Sequence, residues 1–214
     1  MKDLVKICGL ARREDVAATL ETEPDAMGFI FWPKSPRGVS AAEVRAWTGG
    51  RMRPPVRKVG VFVDSGVEEI EAVAREADLD VVQLHGPYSA DQIRQITLPV
   101  WRVLHADRLP SDWNQVPVDA LLLDSGTVEM PGGTGVRVDA DRARDLIAQS
   151  KFPVLLAGGL KADNVRGLIQ KVQPAGVDVS SGVESKPGHK NMSAVRAFIR
   201  NARQAFQSQA DFFT

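Results

Sequence analysis

The sequence is poor in cysteine, since Cys8 is the only one among its 214 residues. One cysteine cannot form an intramolecular disulfide, and it cannot build a zinc site held by several thiolates. Charge of one sign is not in excess either, because 27 Lys and Arg residues balance 27 Asp and Glu residues. A nucleic-acid-binding domain normally carries a basic excess on one face, so we expect no nucleic-acid partner. The balance still allows a local cationic pocket for a small anion.

Long apolar runs are missing too. No run approaches the roughly 20 residues that a membrane helix needs. The apolar stretch at residues 4–7 is too short for the core of a signal peptide. We therefore expect a soluble cytoplasmic protein with no membrane partner. Composition is ordinary, with 43% hydrophobic and 25% charged residues, and the length predicts a single domain over residues 1–214.

The sequence does contain a regular alternation of short apolar runs and longer amphipathic stretches. Eight runs predict strands at 4–8, 26–32, 56–63, 80–85, 99–104, 119–124, 153–159 and 176–182. Their near-continuous hydrophobicity is typical of parallel strands buried on both faces. Helices are predicted between these strands at 41–47, 67–77, 90–96, 142–149, 165–172 and about 193–206.

This alternation predicts an α/β fold of the (β/α)₈ (TIM) barrel type. An open parallel sheet would show a similar pattern, so periodicity alone leaves that alternative open. The connection at residues 105–118 contains two prolines and little helical periodicity. It predicts a loop or a single turn, so that the fifth helix of the barrel is reduced or missing.

Functional residues of such barrels gather at the C-terminal ends of the strands. Two glycine-rich turns, AGGL at 157–160 and SSGVE at 180–184, end the last two predicted strands. Backbone N–H groups in such turns, with a helix N-terminus close by, commonly bind phosphate. Either turn alone could simply reverse the chain. Together they predict a phosphate site formed by Gly158, Gly159, Ser181 and Gly182.

Two reactive side chains end other strands. Cys8 ends the first predicted strand and Asp124 ends the sixth. A lone cysteine is usually a small buried apolar residue, and an aspartate at a strand end often caps a helix or forms an ion pair. Opposed across a barrel mouth, however, a thiolate base and a carboxylic acid suit an isomerase that moves protons.

Three further features are candidates for the mouth of the barrel. Arg37 lies in a loop stiffened by two prolines, where its guanidinium fork could bind a carboxylate or could simply be solvated. His85 precedes Gly86, which suggests a turn that directs the ring inward, although a structural histidine is the alternative. The GGTG segment at 132–135 lacks the spacing of a P-loop and is better interpreted as a flexible lid.

Several motifs occur together in a specific order. They are KICGL from residue 6, GFIFWPKSPRGVS from 28, VGVFVD from 59, VVQLHG from 81, DALLLDS from 119, GGTG from 132, LLAGGL from 155 and GVDVSSGVESKPGHKN from 176. In these motifs the chain resembles the phosphoribosylanthranilate isomerase family of tryptophan biosynthesis over essentially its full length. The resemblance departs from the family pattern at residues 136–144, VRVDADRAR, where an aromatic residue usually follows the helix-opening aspartate.

The resemblance implies a (β/α)₈ barrel with a reduced fifth helix and an Amadori rearrangement of a phosphorylated small-molecule substrate. It also implies roles for individual residues: Cys8 as general base, Asp124 as general acid, Arg37 as the anthranilate-binding residue, His85 as a residue lining the site, and Gly158, Gly159, Ser181 and Gly182 as the phosphate site. No metal or organic cofactor is implied, and we expect a monomer or a homodimer.

Three rival functions remain for comparison. The histidine-pathway isomerase catalyses the same rearrangement, but that family has an aspartate at the position of Cys8 and a second phosphate turn, whereas residues 59–66 here offer one glycine past the strand end. Indoleglycerol-phosphate synthase needs a lysine and glutamate set that the strand ends do not show. A non-catalytic barrel that binds phosphorylated ligands is the alternative from outside the enzymes, and the presence of Cys8 and Asp124 disfavours it.

Overall fold

Eight parallel strands form a closed barrel in the computed structural model, which describes residues 2–49, 56–124 and 140–210. The strands are β1 Leu4–Ile7, β2 Ala26–Ile30, β3 Arg57–Val63, β4 Val81–His85, β5 Val100–His105, β6 Ala120–Asp124, β7 Val154–Ala157 and β8 Gly176–Val179. Each strand pairs with the next along the chain, and β8 pairs in parallel with β1. The predicted barrel is therefore confirmed over the open sheet.

Helices surround the barrel. They are α1 Arg13–Leu20, α2 Ala41–Thr48, α3 Val67–Ala77, α4 Ala90–Arg94, α5 Ala140–Gln149, α6 Val165–Val172 and α7 Met192–Ala210. Six of them coincide with predicted helices, and α2 begins with the capping box of Ser40 and Glu43. Among the described residues, no helix is long and apolar enough to cross a membrane.

The first helix, α1, was missed by the sequence analysis. Its N-cap residue, Arg12, makes no side-chain capping hydrogen bond, and two of its three buried residues, Asp15 and Thr19, are polar. A helix without an apolar stripe or a capping signal is invisible to periodicity. Asp15 is buried because its carboxylate accepts a hydrogen bond from the backbone N–H of Lys190 at 3.0 Å.

The prediction that the barrel helix between β5 and β6 is reduced or missing is confirmed. Residues 106–119, all of them described, contain turns and no helix between β5 and β6. This segment covers the barrel instead with Val116, which is buried, and with Leu109 and Trp113, which pack against the core. The Asn114 side chain holds it in place, because its amide nitrogen donates to the Gln149 carbonyl at 2.8 Å.

Side chains inside the barrel change from apolar to polar along the barrel axis. Apolar residues including Leu4, Val81 and Trp101 form a cluster separate from the one between strands and helices. Because successive side chains of a strand point to opposite faces, Leu4, Lys6 and Cys8 all face the interior. Lys6 is fully buried, and Cys8 is 5% exposed. The barrel is thus filled with apolar side chains below and becomes charged towards the mouth.

The stability of the barrel depends on this apolar floor. We expect Trp101→Ala to lower the free energy of unfolding by about 3–5 kcal/mol, because a large buried ring would be replaced by a cavity. Trp101 is 1% exposed. Leu20→Ala is the control, since Leu20 is 37% exposed and a surface change there should cost less than about 0.5 kcal/mol. Urea denaturation followed by circular dichroism measures both, and equal midpoints for the two variants would contradict the prediction.

Candidate functional site

Cys8 lies directly after β1, at the mouth of the barrel, as predicted. Its backbone N–H donates to the Val179 carbonyl at 2.8 Å, which continues the pairing of β1 with β8. Gly28 on β2 makes room for the thiol, because a Cβ at that position would lie 2.6 Å from Cys8 Sγ. Residue 28 must therefore be glycine for the thiol to occupy this place.

A buried ion pair lies below Cys8. Lys6 Nζ and Asp178 Oδ1 are 2.9 Å apart, and their side chains are 0% and 9% exposed. Burial alone lowers the pKa of Lys6, but Asp178 raises it above its usual value, so the ammonium form is favoured. Burial raises the pKa of the Asp178 carboxyl, against the opposing effect of Lys6. Burial also raises the pKa of the Cys8 thiol, and Lys6 is the largest opposing influence.

Asp124 ends β6 on the other side of the mouth, where two imidazoles accompany it. It pairs in register with His105 of β5. The rings of His105 and His85 are 5.2 Å apart, so His85 also lies at this edge, as predicted. Burial first, and His105 second, lower the pKa of His85, while Asp124 and Asp64 oppose them. His85 is therefore a neutral imidazole at neutral pH, able to donate or accept a hydrogen bond.

The four residues predicted to bind phosphate meet in one cavity. Its volume is about 140 Å³, and it is lined by Gly158, Gly159, Ser181 and Gly182, by Asp124, and by neighbouring residues of β7 and β8. Gly158 and Gly159 have φ angles of +77° and +64°, the left-handed region that favours glycine. A Cβ on Gly182 would overlap the carbonyl oxygen of Leu160. Close packing of the two turns therefore requires glycine at position 182.

Arg37 reaches the mouth from the loop after β2 and is not a solvated side chain. Its Nε and Nη2 donate to the two carboxylate oxygens of Glu184 at 2.8 and 2.6 Å. Lys190 Nζ donates to the same carboxylate at 2.9 Å and to the Ser180 carbonyl at 3.1 Å. Burial raises the pKa of Glu184, but Arg37 and Lys190 together hold it below its usual value. Glu184 therefore fixes the orientation of Arg37 as an ionised carboxylate.

The structure adds Lys6, His105, Asp178 and Glu184 to the site, none of which the sequence analysis selected. A signal existed for two of them, because Lys6 and Asp178 are charged residues inside otherwise apolar runs. Glu184 follows a turn and carries no such signal. The predicted lid at 132–135 lies outside the described residues, as do residues 136–139 of the atypical stretch at 136–144.

Known proteins with similar sequences and structures belong to a family whose reaction suits this arrangement of residues. The family model described as N-(5'phosphoribosyl)anthranilate (PRA) isomerase matches residues 5–201. The N-(5'-phosphoribosyl)anthranilate isomerase of Granulibacter bethesdensis is 42% identical over 210 residues, which covers 94% of this chain and 98% of that protein. That of Listeria monocytogenes is 38% identical, with coverage of 94% and 98%.

Solved structures give the same result. The phosphoribosyl anthranilate isomerase of Thermotoga maritima is 35% identical with a TM-score of 0.83, and the match covers 95% of this chain and all of that one. A phosphoribosyl anthranilate isomerase in complex with reduced 1-(o-carboxyphenylamino)-1-deoxyribulose 5-phosphate is 32% identical with a TM-score of 0.80, at the same coverage. The similarity thus extends over the strands that carry Cys8, Asp124 and the glycine turns.

The proximity of the two imidazoles leads to a prediction about pH. We expect His85 to titrate below the usual value of about 6.5, because its environment disfavours the imidazolium. Replacing the neighbouring imidazole in the His105→Gln variant should raise the midpoint of the His85 titration. NMR titration of histidine-labelled protein measures both midpoints, with the resonance assigned from a His85→Gln variant.

The same shift affects stability. Since the unfolded state binds the proton more readily, the free energy of unfolding should fall as pH drops from about 6.5 through the folded pKa of His85. This dependence should be weaker in His85→Gln. A midpoint of His85 that is unchanged by His105→Gln would contradict the arrangement described.

Proposed function

Because this chain belongs to the N-(5'-phosphoribosyl)anthranilate isomerase family, we propose that it catalyses the Amadori rearrangement of N-(5-phosphoribosyl)anthranilate to 1-(2-carboxyphenylamino)-1-deoxyribulose 5-phosphate in tryptophan biosynthesis. One observation carries the proposal: a thiol, a carboxyl group and a glycine-lined anion cavity meet at one barrel mouth in a chain that matches the family over residues 5–201. A biosynthetic role of this kind predicts a cytoplasmic enzyme.

The position of the phosphate defines the orientation of the substrate in the site. The ligand of one related structure is a deoxyribulose phosphate that carries a carboxyphenylamino group. We place the phosphate against the turns at Gly159 and Gly182, where backbone amides and the two short loops can surround it without a lysine. Asp124 lines the same cavity, so the ribose ring next to that phosphate would lie beside its carboxyl group.

Proton transfers then follow from the positions of Asp124 and Cys8. The Asp124 carboxyl donates a proton to the ring oxygen of the ribose, the bond between that oxygen and C1 breaks, and an iminium forms between C1 and the anthranilate nitrogen. The Cys8 thiolate takes the proton from C2, and the electron pair of that bond neutralises the iminium and gives an enolamine. Transfer of the enol proton to C1 yields the ketone. The transfers made by Asp124 and Cys8 are general acid–base catalysis.

The anthranilate carboxylate requires a cation at the other end of the substrate. Arg37 is the proposed partner, because guanidinium pairs well with carboxylates. Glu184 accepts from Nε and Nη2 of Arg37. Among the described residues, none accepts a hydrogen bond from Nη1, so this nitrogen can bind the substrate while Glu184 holds the other two nitrogens in place.

Assembly of the chain stays a prediction. A phosphoribosylanthranilate isomerase of Thermotoga maritima is described as dimeric, and monomers have been generated from it. For this chain we expect a monomer or a homodimer, with a phosphorylated small molecule as its ligand.

A fluorescence assay tests the proposed function. Freshly generated N-(5-phosphoribosyl)anthranilate should lose its anthranilate-type fluorescence in a saturable, enzyme-dependent reaction. Ligand binding without turnover would instead indicate the non-catalytic barrel.

Substitution of the proposed acid or base should lower turnover without weakening ligand binding. Cys8→Ser keeps the size of the side chain but loses the accessible thiolate, and Asp124→Asn loses the exchangeable proton. Each should lower kcat by at least about a hundredfold, the usual contribution of a positioned acid or base. Affinity for the product analogue, measured by calorimetry, should change little. Near wild-type turnover in Cys8→Ser would show that the thiol is a packing residue.

Substrate affinity should depend on Arg37. Arg37→Ala should raise KM by one to two orders of magnitude, as expected from the loss of about 1.5–3 kcal/mol in a charge-assisted contact. Arg37→Lys should recover only part of the affinity, because an ammonium cannot form the fork. Steady-state kinetics measures both variants, and an unchanged KM in Arg37→Ala would leave Arg37 with a role in holding Glu184 alone.

A further inference from the structure

The ion pair of Lys6 and Asp178 has no part in the proton transfers described above, yet it occupies the centre of the barrel. Its two charged atoms are 2.9 Å apart and almost wholly shielded from solvent. A buried ion pair generally costs as much in desolvation as its attraction returns, and apolar side chains of similar volume are often at least as stabilising. Stability therefore does not explain a charged pair directly below the mouth.

The place of Lys6 relative to Cys8 suggests an explanation. Both residues face the interior from β1, two positions apart. A Cβ at Gly28 would lie 2.6 Å from Cys8 Sγ and 3.0 Å from Lys6 Nζ. The two atoms border the same gap, and they are no farther apart than the sum of those distances. The ammonium is therefore close enough to act strongly on a negative charge at sulfur.

Other charged groups around Cys8 come from three further segments. Lys190 and Arg37 act on the thiol from the hairpin of β9 Glu184–Lys186 with β10 His189–Lys190 and from the loop after β2. Glu184 binds both of these cations and so balances them. Asp178 acts from β8, and Asp124 acts in turn on Asp178. Lys6 is the cation that shares the Gly28 gap with sulfur.

We propose that Lys6 is a positioning residue for the base: its ammonium, held in place by Asp178, stabilises the thiolate of Cys8. The inference rests on the proposed function, because it explains how a buried thiol can accept the C2 proton of the substrate. A fixed cation in a water-poor site favours the thiolate more than an exposed cation would. Asp178 prevents the lysine from bending away and keeps it protonated.

The test uses the fact that Cys8 is the only cysteine of the chain. The rate of alkylation by iodoacetamide, and the part of the thiolate absorbance at 240 nm that is lost in Cys8→Ser, therefore report on this residue alone. In Lys6→Met the midpoint of both titrations should rise by about one pKa unit or more, and alkylation at pH 7 should slow by roughly tenfold. The acidic limb of the kcat/KM profile should move to higher pH by the same amount.

Lys58 provides a matched control. It is also fully buried, but its ammonium binds the Ala77 carbonyl at 3.1 Å and Asp78 at 3.2 Å, at the end of α3. Lys58→Met removes a buried ammonium as Lys6→Met does, so it should lower stability without moving the titration of Cys8. If Lys6→Met does not fold, the double variant Lys6→Met/Asp178→Leu removes both charges of the pair. It should still raise the midpoint of the Cys8 titration, but by less than Lys6→Met, because the carboxylate that opposes the thiolate is also lost.

Two outcomes separate this inference from the proposed function. A folded Lys6 variant whose thiol titrates as in the wild type would overturn the inference, even if turnover fell, because Lys6 would then have only a structural role. If the thiol midpoint rises as expected but the unaltered chain does not convert N-(5-phosphoribosyl)anthranilate, the electrostatic role of Lys6 stands and the proposed function fails.

Discussion

Closure of the barrel between β1 and β8 is the constraint on which the rest of the site depends. Four residue pairs join these strands in parallel, from Leu4 with Gly176 to Ile7 with Val179. This register places Lys6 opposite Asp178 inside the barrel. It also brings the end of the first strand next to the turn that follows the last one. A thiol near the N-terminus thereby becomes the neighbour of a cavity lined by Gly158, Gly159, Ser181 and Gly182, far later in the chain.

Close packing at the mouth depends on residues without side chains. Gly28 leaves the space that the thiol and the Lys6 ammonium share. Gly182 allows the turn after β8 to lie against the Leu160 carbonyl, which keeps the two glycine turns together. Protein interiors are packed too tightly to absorb an extra methyl group at such contacts without displacement. These glycines therefore matter for the site because they leave space that the neighbouring side chains and turns occupy.

Charge at the mouth is organised as two linked groups. Lys6 and Asp178 form one group within the barrel, and Arg37, Glu184 and Lys190 form the other around the hairpin after β8. The first group has one cation and the second has two, and in each a carboxylate orients the cations. The proposed site has to bind a phosphate and a carboxylate and to hold a thiolate, which requires cations, and the acidic partners keep these cations fixed when no substrate is bound.

The sequence by itself favoured the barrel over an open sheet, predicted that the fifth helix is reduced or missing, and placed Cys8, Asp124, His85, the loop of Arg37 and the glycine turns at the mouth. Apolar runs and glycine turns are local signals, so they can be read without knowing what lies next to them. Only the tertiary structure decided the partners: Lys6 with Asp178, Arg37 with Glu184, and His85 with His105. A strand pattern shows that a residue is buried, but the register across the barrel decides which charged residue it contacts. Helix α1 lacks an apolar stripe, so it can be recognised only from its packing in the folded protein.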